Sequence, residues 1–313
     1  MEAEQPLRIF IWNINSLIPT VRNFVLKHGS LRGFFDHYEA DIVCFQETKM
    51  LADKLTKELA CVDGFESFWA VSRQKMGYSG VVTYVRERFS PLSAKADCLD
   101  GGESDLDREG RTVETDHSAF VLLNCYVPNA GGAREGRPRA EYKLRFLQAL
   151  RARCEDLLAA GRQVIVVGDL NVAASQRDVH AKLSWEDMYG AEEKAGLAAL
   201  LRALPDVWRL RHPDVSNAFT VWDEKTSARM VNEGVRIDYA LVSPGLLSSV
   251  ANCEIVDTHP KWSDHAALVL ELRGVPPPPP HAPCALSSAR DRRFNDRSQP
   301  SVAALFAVCR QAL

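Results

Sequence analysis

Short apolar runs rich in valine and isoleucine alternate with helical patterns over residues 7–273, and this alternation restricts the fold more than any other feature of the chain. Several runs lead into a polar side chain, as residues 7–12 lead into Asn13 and residues 164–167 lead towards Asp169. Between such runs, leucines recur at helical spacing. The pattern predicts an α/β protein with mostly buried strands, and such folds place their chemistry at strand ends.

Composition excludes several classes of protein. The 46% hydrophobic fraction is enough for one large core or two modest ones. No stretch approaches the roughly 18 consecutive apolar residues of a membrane-spanning helix, and no apolar leader follows Met1, so we expect neither membrane insertion nor secretion. The eight cysteines include no C-x-x-C pair, which favours free thiols in a reducing compartment and no zinc site. A net charge of −3 disfavours coating of nucleic acid by bulk positive charge.

The character of the chain changes after residue 273. Residues 274–313 hold seven of the 16 prolines, and five arginines against two aspartates give them a charge of +3. Since the whole chain carries −3, residues 1–273 carry −6. We predict a folded domain over residues 1–273 and a proline-rich linker and tail over residues 274–313.

Eight polar side chains at or beside the apolar runs indicate a site for phosphate esters. Taken singly, each is more often a turn residue or a helix cap than a catalyst. Together, carboxylates and amides can bind a hard cation such as Mg²⁺ through oxygen, and a histidine paired with an aspartate can contact a negatively charged oxygen. That combination suits hydrolysis of a phosphate ester. The eight are Asn13, Asn15, Glu47, Asp169, Asn171, Asp238, Asp264 and His265.

Seven motifs, in matching order, resemble those of the exonuclease III family of class II apurinic/apyrimidinic (AP) endonucleases. One such block would mean little, whereas seven covering nearly all of the predicted domain are very unlikely by chance. The blocks are WNINSL (12–17), QETK (46–49), GYSGV (77–81), YVPNAG (126–131), GDLNV (168–172), RIDY (236–239) and SDH (263–265). The resemblance implies a four-layer α/β sandwich of two packed mixed sheets flanked by helices, with the site in a cleft at one edge.

The resemblance also implies a catalytic domain with the activity of a DNA repair nuclease. The enzyme would hydrolyse phosphodiesters 5′ to abasic sites and at 3′ ends in base excision repair, as an AP endonuclease, 3′–5′ exonuclease and 3′-phosphodiesterase. Its cofactor would be Mg²⁺, with Mn²⁺ as a substitute. Its partner would be double-stranded DNA with abasic sites or 3′ lesions. We expect a monomer located in the nucleus, with mitochondria as a second location.

Carried over by position, the resemblance makes Glu47 the principal metal ligand. Asn15 and Asp264 would help it, and Asn13 would order the ligand shell. Some family members have aspartate at the place of Asn15, so the shell of this chain holds one carboxylate fewer. Whether one or two metals act stays open at this stage.

The same resemblance assigns the proton and phosphate chemistry. Asp169, steadied by Asn171, would handle the proton of the attacking water or of the leaving oxygen, and the residues do not decide which. His265, oriented by Asp238, would hold the scissile phosphate. Hydrogen bonds from the opposite side would come from Tyr126 and Asn129.

Two loops are candidates for contact with DNA. The loop that carries Tyr78 either packs a turn or, by the resemblance, lies against the DNA backbone. Residues 131–153 hold seven cations against two acids, which form either a solvated helix face or a loop that follows phosphates. We favour DNA contact for Arg134 and Arg139, because their loop directly follows the YVPNAG block.

Three residues bear on substrate choice. Phe219 and Trp222 are predicted to wall the pocket that receives a flipped abasic sugar, with core packing as the alternative. Another wall residue is tryptophan in the major abasic endonuclease, and Val235 takes its place here. A smaller wall should hold the sugar less tightly. We therefore expect weaker incision at internal abasic sites, relative to 3′-end processing, than in that enzyme.

Residues 299–306 resemble the motif by which proteins dock on the sliding clamp (PCNA). A short helical turn would place three apolar side chains on one side to fill a hydrophobic pocket, although the usual pattern ends in two aromatic residues. The alternatives are an amphipathic helix folded onto the body and a disordered end. The motif favours the second, clamp-associated branch of the eukaryotic enzymes. Its residues are Gln299, Val302, Leu305 and Phe306.

Two other functions stay open at this stage. The wider superfamily includes inositol polyphosphate phosphatases and RNA nucleases, so the runner-up is another metal-dependent phosphoesterase. The YVPNAG and GYSG blocks favour the abasic branch. A catalytically idle scaffold that binds DNA or the clamp is disfavoured, because every expected catalytic position carries suitable chemistry.

Overall fold

A computed structural model describes residues 5–102, 104–131 and 136–295 of the 313-residue chain. In chain order the strands are β1 (Leu7–Asn13), β2 (Ile42–Gln46), β3 (Phe65–Ala70), β4 (Val81–Arg86), β5 (Ser93–Ala96), β6 (Thr112–Asp116), β7 (Val121–Tyr126), β8 (Val164–Asp169), β9 (Val221–Trp222), β10 (Gly234–Val235), β11 (Asp238–Val242), β12 (Val250–Val256) and β13 (Ala267–Leu272).

The α-helices lie between these strands and after them. They are α1 (Leu17–His28), α2 (Leu31–His37), α3 (Lys57–Ala60), α4 (Ala140–Ala159), α5 (Trp185–Met188), α6 (Ala191–Ala203), α7 (Val207–Arg211) and α8 (Arg292–Asn295). Short 3₁₀ helices span Ala52–Lys54, Glu87–Phe89, Asp105–Arg108, Gln176–Asp178, Ala228–Val231, Pro244–Ser249 and Ser288–Arg290. Among the described helices, none is both long and apolar enough to cross a bilayer.

The strands form two mixed sheets. The first sheet has six strands in the order β12-β13-β1-β2-β4-β3, and the second has five in the order β11-β8-β7-β6-β5. In each sheet one central pair is parallel, β1 with β2 and β7 with β8, and the other neighbours are antiparallel. A small hairpin of β9 and β10 stands apart from both.

Alternation of side chains along the strands builds the layers. In β1, Ile9 and Ile11 belong to the core between the sheets, whereas Phe10 and Trp12 pack outwards against α1 and α2. The second sheet does the same, because alternate residues of β8 face either the first sheet or the layer formed by α4 and α6. This helix–sheet–sheet–helix arrangement confirms the predicted four-layer α/β sandwich.

The parallel pairs determine where polar residues meet. Because β1 and β2 run in one direction, their carboxyl ends lie side by side, with Asn13 paired to Gln46. In the second sheet Tyr126 pairs with Asp169, and Asp238 of β11 pairs with Asp169 from the other side. The two sheets therefore bring their polar strand ends to one edge of the sandwich.

Gly168 allows the two parallel strands of the second sheet to pair directly before Asp169. Its φ is +122°, and an added Cβ would lie 2.1 Å from the carbonyl oxygen of Cys125. A residue with a side chain would push β8 away from β7 at this point. The glycine of the GDLNV block is therefore required by its positive φ and by the close approach of the β7 backbone.

The segment that follows β13 returns to pack against the first sheet. Phe294 is 1% exposed within the outer core of the first sheet, and the hydroxyls of Ser288 and Ser67 are 3.0 Å apart. The domain boundary at residue 273 stays a prediction. The predicted clamp motif, with Gln299, Val302, Leu305 and Phe306, lies outside the described residues, as does Arg134.

His117 gives the fold a pH-dependent component of stability. It is buried between the Phe89 carbonyl, 2.9 Å from Nδ1, and the Thr115 hydroxyl, 2.9 Å from Nε2. Burial lowers the pKa of His117 to about 4. Between pH 6.5 and 4 the unfolded chain therefore binds a proton here that the folded chain does not, so the free energy of unfolding falls as pH falls.

We expect this single group to reduce the free energy of unfolding by about 2–3 kcal/mol between pH 7 and pH 4.5. Urea unfolding of the wild type and of His117→Gln at both pH values measures the difference. The variant should lose less stability on acidification, and His259→Gln, at an exposed site, should behave like the wild type. Equal losses in wild type and His117→Gln would show that the histidine is not the source.

Candidate active site

Side chains from the polar edge of both sheets converge at an open cleft of about 960 Å³. Glu47 follows β2, Asp169 ends β8, and His265 precedes β13. Ligand atoms of these three residues all lie within 4.8 Å of one another. Residues separated by more than 200 positions in sequence therefore form one charged centre.

Asn13 holds the two carboxylates of this centre together. Its side-chain nitrogen donates to Glu47 Oε1 at 3.0 Å and to Asp169 Oδ2 at 2.9 Å, and the residue is fully buried. Its Oδ1 accepts from the backbone nitrogen of Asn15 at 3.0 Å. One amide thus bridges two groups that would otherwise repel each other.

Glu47 lies at the mouth of the centre beside Lys49. The Lys49 ammonium is 3.1 Å from Glu47 Oε2 and 2.6 Å from Asn15 Oδ1. Burial alone would raise the pKa of Glu47, but the charge of Lys49 and the hydrogen bond from Asn13 outweigh it, so the pKa lies below its ordinary value. Glu47 is therefore an anion at neutral pH.

Asp169 is buried and fully hydrogen-bonded. Oδ1 accepts from the backbone nitrogen of Asn171 at 2.8 Å, and Oδ2 accepts from the Asn171 side chain at 3.2 Å. Burial, followed by the negative charge of Asp238, raises the pKa of Asp169 to about 8. A carboxyl group in this setting can take up or release a proton near neutral pH.

His265 forms an ion pair with Asp238. Its Nδ1 is 2.9 Å from Asp238 Oδ2, and its Nε2 is 4.0 Å from Asp169 Oδ2. Burial would lower the pKa of His265, yet the charge of Asp238 and the hydrogen bond to it raise the pKa to about 10. The imidazolium can therefore donate a hydrogen bond from Nε2 into the cleft.

Tyr126 and Asn129 line the side of the cleft opposite His265 in the predicted assignment. Asn129 donates from Nδ2 to Asn171 Oδ1 at 3.0 Å and accepts from the Gly131 nitrogen at 2.8 Å. Burial and the nearby charge of Glu47 raise the pKa of Tyr126 well above its ordinary value, so its hydroxyl keeps its proton. Both side chains can donate hydrogen bonds to an anion.

The donor set at the centre fits a hard divalent cation. Glu47 and Asp169 supply carboxylate oxygens, and the partly exposed Asp264 lines the same cleft. His265 is an imidazolium at neutral pH because its pKa is raised to about 10, and both ring nitrogens then carry a proton, so it is a poor metal ligand. Of the predicted ligands, Asn15 has its oxygen occupied by Lys49, whereas Glu47 and Asp264 face the cleft.

The predicted DNA-contact residues surround a buried arginine. Tyr78 Oη accepts from Arg111 Nη2 at 3.0 Å and also from Arg139 Nη1. Arg139 pairs with Glu109 at 2.8 Å, and its side chain is 30% exposed. If Arg139 contacts a DNA phosphate as predicted, its guanidinium has to bind that phosphate and the Glu109 carboxylate at the same time.

The predicted wall residues occupy two positions. Trp222 and Val235 line the cleft beside Asp264 and His265. Phe219 is 2% exposed and packs behind Trp222 in a small apolar cluster. Of the three predicted wall residues, the indole and the valine therefore line the cleft, and the phenyl ring packs behind the indole.

Sequence reasoning missed two cations of the site. Arg111 is fully buried, donates to the Tyr126 carbonyl at 3.0 Å and lies 4.7 Å from the centre of its ring. Lys143 is 1% exposed and donates to the Asn171 carbonyl at 2.8 Å and to Glu193 at 2.7 Å. A signal for Lys143 was present, since it lies at helical spacing with the buried apolar residues of α4.

Comparison with known proteins agrees with this geometry. Residues 11–265 match the Endonuclease/Exonuclease/phosphatase family. The chain belongs to this family.

Within the family, the chain is similar to proteins named DNA-(apurinic or apyrimidinic site) endonuclease 2. The Mus musculus protein is 33% identical over 319 residues, with 86% of this chain and 61% of that protein covered. The Homo sapiens protein is 32% identical, with the same coverage. The chain thus spans about three fifths of the length of these curated relatives.

Solved structures show the same fold. The Xenopus laevis APE2 catalytic domain is 29% identical and superimposes with a TM-score of 0.81, covering 94% of this chain and 100% of that one. An AP endonuclease from Archaeoglobus fulgidus, 24% identical, has a TM-score of 0.71 and covers 85% of this chain and 99% of its own. The resemblance to AP endonucleases and the fold predicted from it are confirmed.

Proposed function

We propose that this chain is a divalent-metal-dependent DNA repair nuclease that hydrolyses phosphodiesters 5′ to abasic sites and at 3′ ends. The observation that carries the proposal is the convergence of Glu47, Asp169 and His265 within 4.8 Å at an open cleft. The names of its relatives, DNA-(apurinic or apyrimidinic site) endonuclease 2, support DNA as the substrate.

Glu47 would hold the cation, with Asp264 as a further oxygen donor, and we expect the ion to be Mg²⁺. Asn15, whose Oδ1 accepts from the Lys49 ammonium at 2.6 Å, would join them once that ammonium moves away. When bound, such an ion supplies positive charge that stabilises the phosphate oxygens during hydrolysis. Asn13 fixes the position of Glu47 through its 3.0 Å hydrogen bond. Lys49 keeps these two side chains together through an ion pair with Glu47 at 3.1 Å and a hydrogen bond to Asn15 at 2.6 Å.

The scissile phosphate would be bound by donors on opposite sides. His265, held by Asp238 at 2.9 Å, presents a charged N–H, and Tyr126 and Asn129 present neutral donors. Preorganised donors of this kind need no reorientation as charge develops on the phosphate. In this proposal the predicted residues on both sides of the cleft have the same task, which is to bind the phosphate.

Asp169 would move the proton of the reaction. Its two oxygens are fixed by Asn13 and Asn171, so the carboxyl group is held in one orientation beside His265 and Glu47. A positioned acid or base contributes about 10²–10⁴-fold to a rate. Whether the proton comes from the water or goes to the leaving oxygen depends on how DNA binds.

Further assignments stay predictions. Tyr78 and Arg139 would contact the DNA backbone, and Trp222, supported by Phe219, would wall the sugar pocket. The clamp motif of residues 299–306, a nuclear and mitochondrial location and a monomeric state are expectations from the sequence.

A panel of substrates tests the proposed activity. The purified chain is incubated with Mg²⁺ and with labelled duplexes that carry an internal abasic analogue, a 3′-phosphoglycolate or a recessed 3′ mismatch. Inositol polyphosphate and single-stranded RNA are the comparison substrates. Cleavage of the DNA lesions supports the proposal. Release of phosphate from the inositol compound, or RNA cleavage, without DNA cleavage would establish the alternative phosphoesterase.

Val235→Trp should increase abasic incision relative to removal of a 3′-phosphoglycolate by about tenfold. The valine is 7% exposed on the wall of the cleft, and an indole there would add apolar contact to an extruded sugar. The ratio of kcat/KM values on the two substrates is the measurement. The control is the same change at Val231, which is 66% exposed in the loop that joins β9 to β10. A ratio unchanged by Val235→Trp would remove this residue from the selection of substrates.

A further inference from the structure

We propose that Arg229 is a positioning residue that fixes Trp222 in the wall of the cleft and thereby sets the preference for internal abasic sites over 3′ ends. The inference rests on the proposed function. It concerns a residue that lies outside the wall itself and acts through the indole.

The guanidinium of Arg229 lies over the ring of Trp222. Arg229 belongs to the 3₁₀ helix Ala228–Val231 in the loop between β9 and β10, and its guanidinium carbon is 4.4 Å from the centre of the indole ring. The side chain is only 17% exposed. A guanidinium stacked on an indole and largely shielded from water is an attractive contact that also prevents the ring from tilting.

The other edge of the guanidinium is tied to the segment that precedes β13. Nη1 donates to the Ser263 carbonyl at 3.2 Å, and Nη2 donates to the Thr258 carbonyl at 3.0 Å. Nη2 also contacts Asp257, but that carboxylate is 86% exposed and an exposed pair contributes little. The two backbone carbonyls are therefore the contacts that define the position of Arg229.

Trp222 is connected to the same segment by its backbone. Its nitrogen donates to the Asp264 carbonyl at 3.1 Å, and its Nε1 donates to Asn232 Oδ1 at 3.1 Å. The neighbouring Val221 forms a β-bridge with His265. Arg229 thus contacts both the indole and the segment that carries Asp264 and His265, and the Trp222 backbone is bonded to that same segment.

This arrangement needs the shape of arginine. The planar guanidinium stacks on the ring with its face and reaches two carbonyls with its edge at the same time. Lysine could supply the charge but not both contacts. An amide such as glutamine would lose the stacked cation.

The consequence should differ between substrates. An internal abasic sugar has to leave the duplex and rest against the wall, so its binding depends on where the indole lies. A group at a 3′ end reaches the charged centre without such extrusion. Loosening Trp222 should therefore impair internal incision and spare 3′-end processing.

The test compares kcat/KM for an internal abasic analogue and for a 3′-phosphoglycolate in wild type, Arg229→Gln and Arg229→Lys. Arg229→Gln should lower the abasic value about tenfold, mainly through KM, and leave the 3′ value within about twofold. For Arg229→Lys, kcat/KM on the abasic analogue should lie between the values of the wild type and of Arg229→Gln. Thermal unfolding of each variant tests whether the fold is intact. If Arg229→Gln fails to fold, the comparison is made between wild type and Arg229→Lys.

A double-mutant cycle separates positioning from general stabilisation. In a Trp222→Ala background, Arg229→Gln should have little further effect on the ratio of the two activities. Arg209 is a control of similar geometry, because its guanidinium carbon lies 4.9 Å from the centre of the Trp208 ring and it donates to two backbone carbonyls away from the cleft. It also pairs with the buried Asp178 at 2.7 Å, so its thermal unfolding is measured alongside. Arg209→Gln should leave the ratio unchanged.

Three results would overturn the inference. They are equal loss of both activities in Arg229→Gln, no loss of either activity in Arg229→Gln, and a full effect of Arg229→Gln in the absence of Trp222. A wild-type chain that cleaves neither substrate would instead overturn the proposed function, and the inference with it.

Discussion

Asp169→Asn is expected to lower kcat for cleavage at an abasic site by about 10³-fold while KM changes little. The change keeps the size of the side chain but removes the group that can hold and transfer a proton. The fall should appear in kcat because the carboxyl group acts on the reacting atoms and makes no predicted contact with the rest of the DNA. Steady-state kinetics with a labelled abasic duplex measure it.

The hydrogen bonds around Asp169 mean that Asp169→Asn needs controls for a loss of stability. Within the described residues, the hydrogen bonds that its carboxyl group accepts come from N–H donors of Asn13 and Asn171, so an amide must oppose one of them and cost some stability. Thermal unfolding, and Asp169→Ala as a second variant, separate this cost from catalysis. Asp223→Asn changes an exposed acid that also lines the cleft and should remain within about twofold of wild type. A folded Asp169→Asn protein with more than a tenth of the wild-type kcat would exclude the proposed role.

Glu47→Gln should raise the Mg²⁺ concentration needed for half-maximal activity by about 10–100-fold or more. Glutamine can keep the hydrogen bond to Asn13, but it removes the negative charge that a hard cation needs and that now pairs with Lys49 at 3.1 Å. Calorimetric titration with Mg²⁺ measures the loss of affinity without reference to activity.

The matched control for this change is Glu224→Gln. Glu224 is an exposed carboxylate at the rim of the same cleft, so its loss changes the charge of the cleft without touching the centre. Its variant should bind Mg²⁺ as the wild type does. Equal metal affinity in wild type and Glu47→Gln would place the cation elsewhere.

Much of the fold could be predicted from local pattern. Residues 7–12 and 164–167 read as buried strands that lead to polar residues, and they form most of β1 and β8. Alternating side chains in buried strands face two different layers, which is why these runs are apolar on both faces. The resemblance of the motifs to the exonuclease III family then implied which strand-end residues share one site.

The partners within the site could not be predicted in the same way. Lys49 follows Glu47 closely in sequence, yet its contact with Asn15 depends on the parallel pairing of β1 and β2. Lys143 reaches the Asn171 carbonyl because α4 packs across β8, and its other partner is Glu193 of α6. Such contacts depend on how distant elements pack, which composition and spacing do not encode.

The end of the described chain shows the same limit. A run of five prolines predicts an extended linker, and residues 276–283 have no regular secondary structure. The following segment nevertheless buries Phe294 against the first sheet. One aromatic residue in a polar, arginine-rich stretch gives too weak a pattern to reveal such packing.

The central claim is that the centre formed by Glu47, Asp169 and His265 hydrolyses DNA with the help of a divalent cation. Its most direct test is a time course of the purified chain on a labelled duplex with one abasic analogue, first in excess chelator and then after addition of Mg²⁺. We expect no cleavage in chelator and, after Mg²⁺ is added, a single break on the 5′ side of the analogue that leaves a 3′-hydroxyl. Cleavage that persists in chelator, or a duplex left intact by the Mg²⁺-loaded chain, would contradict it.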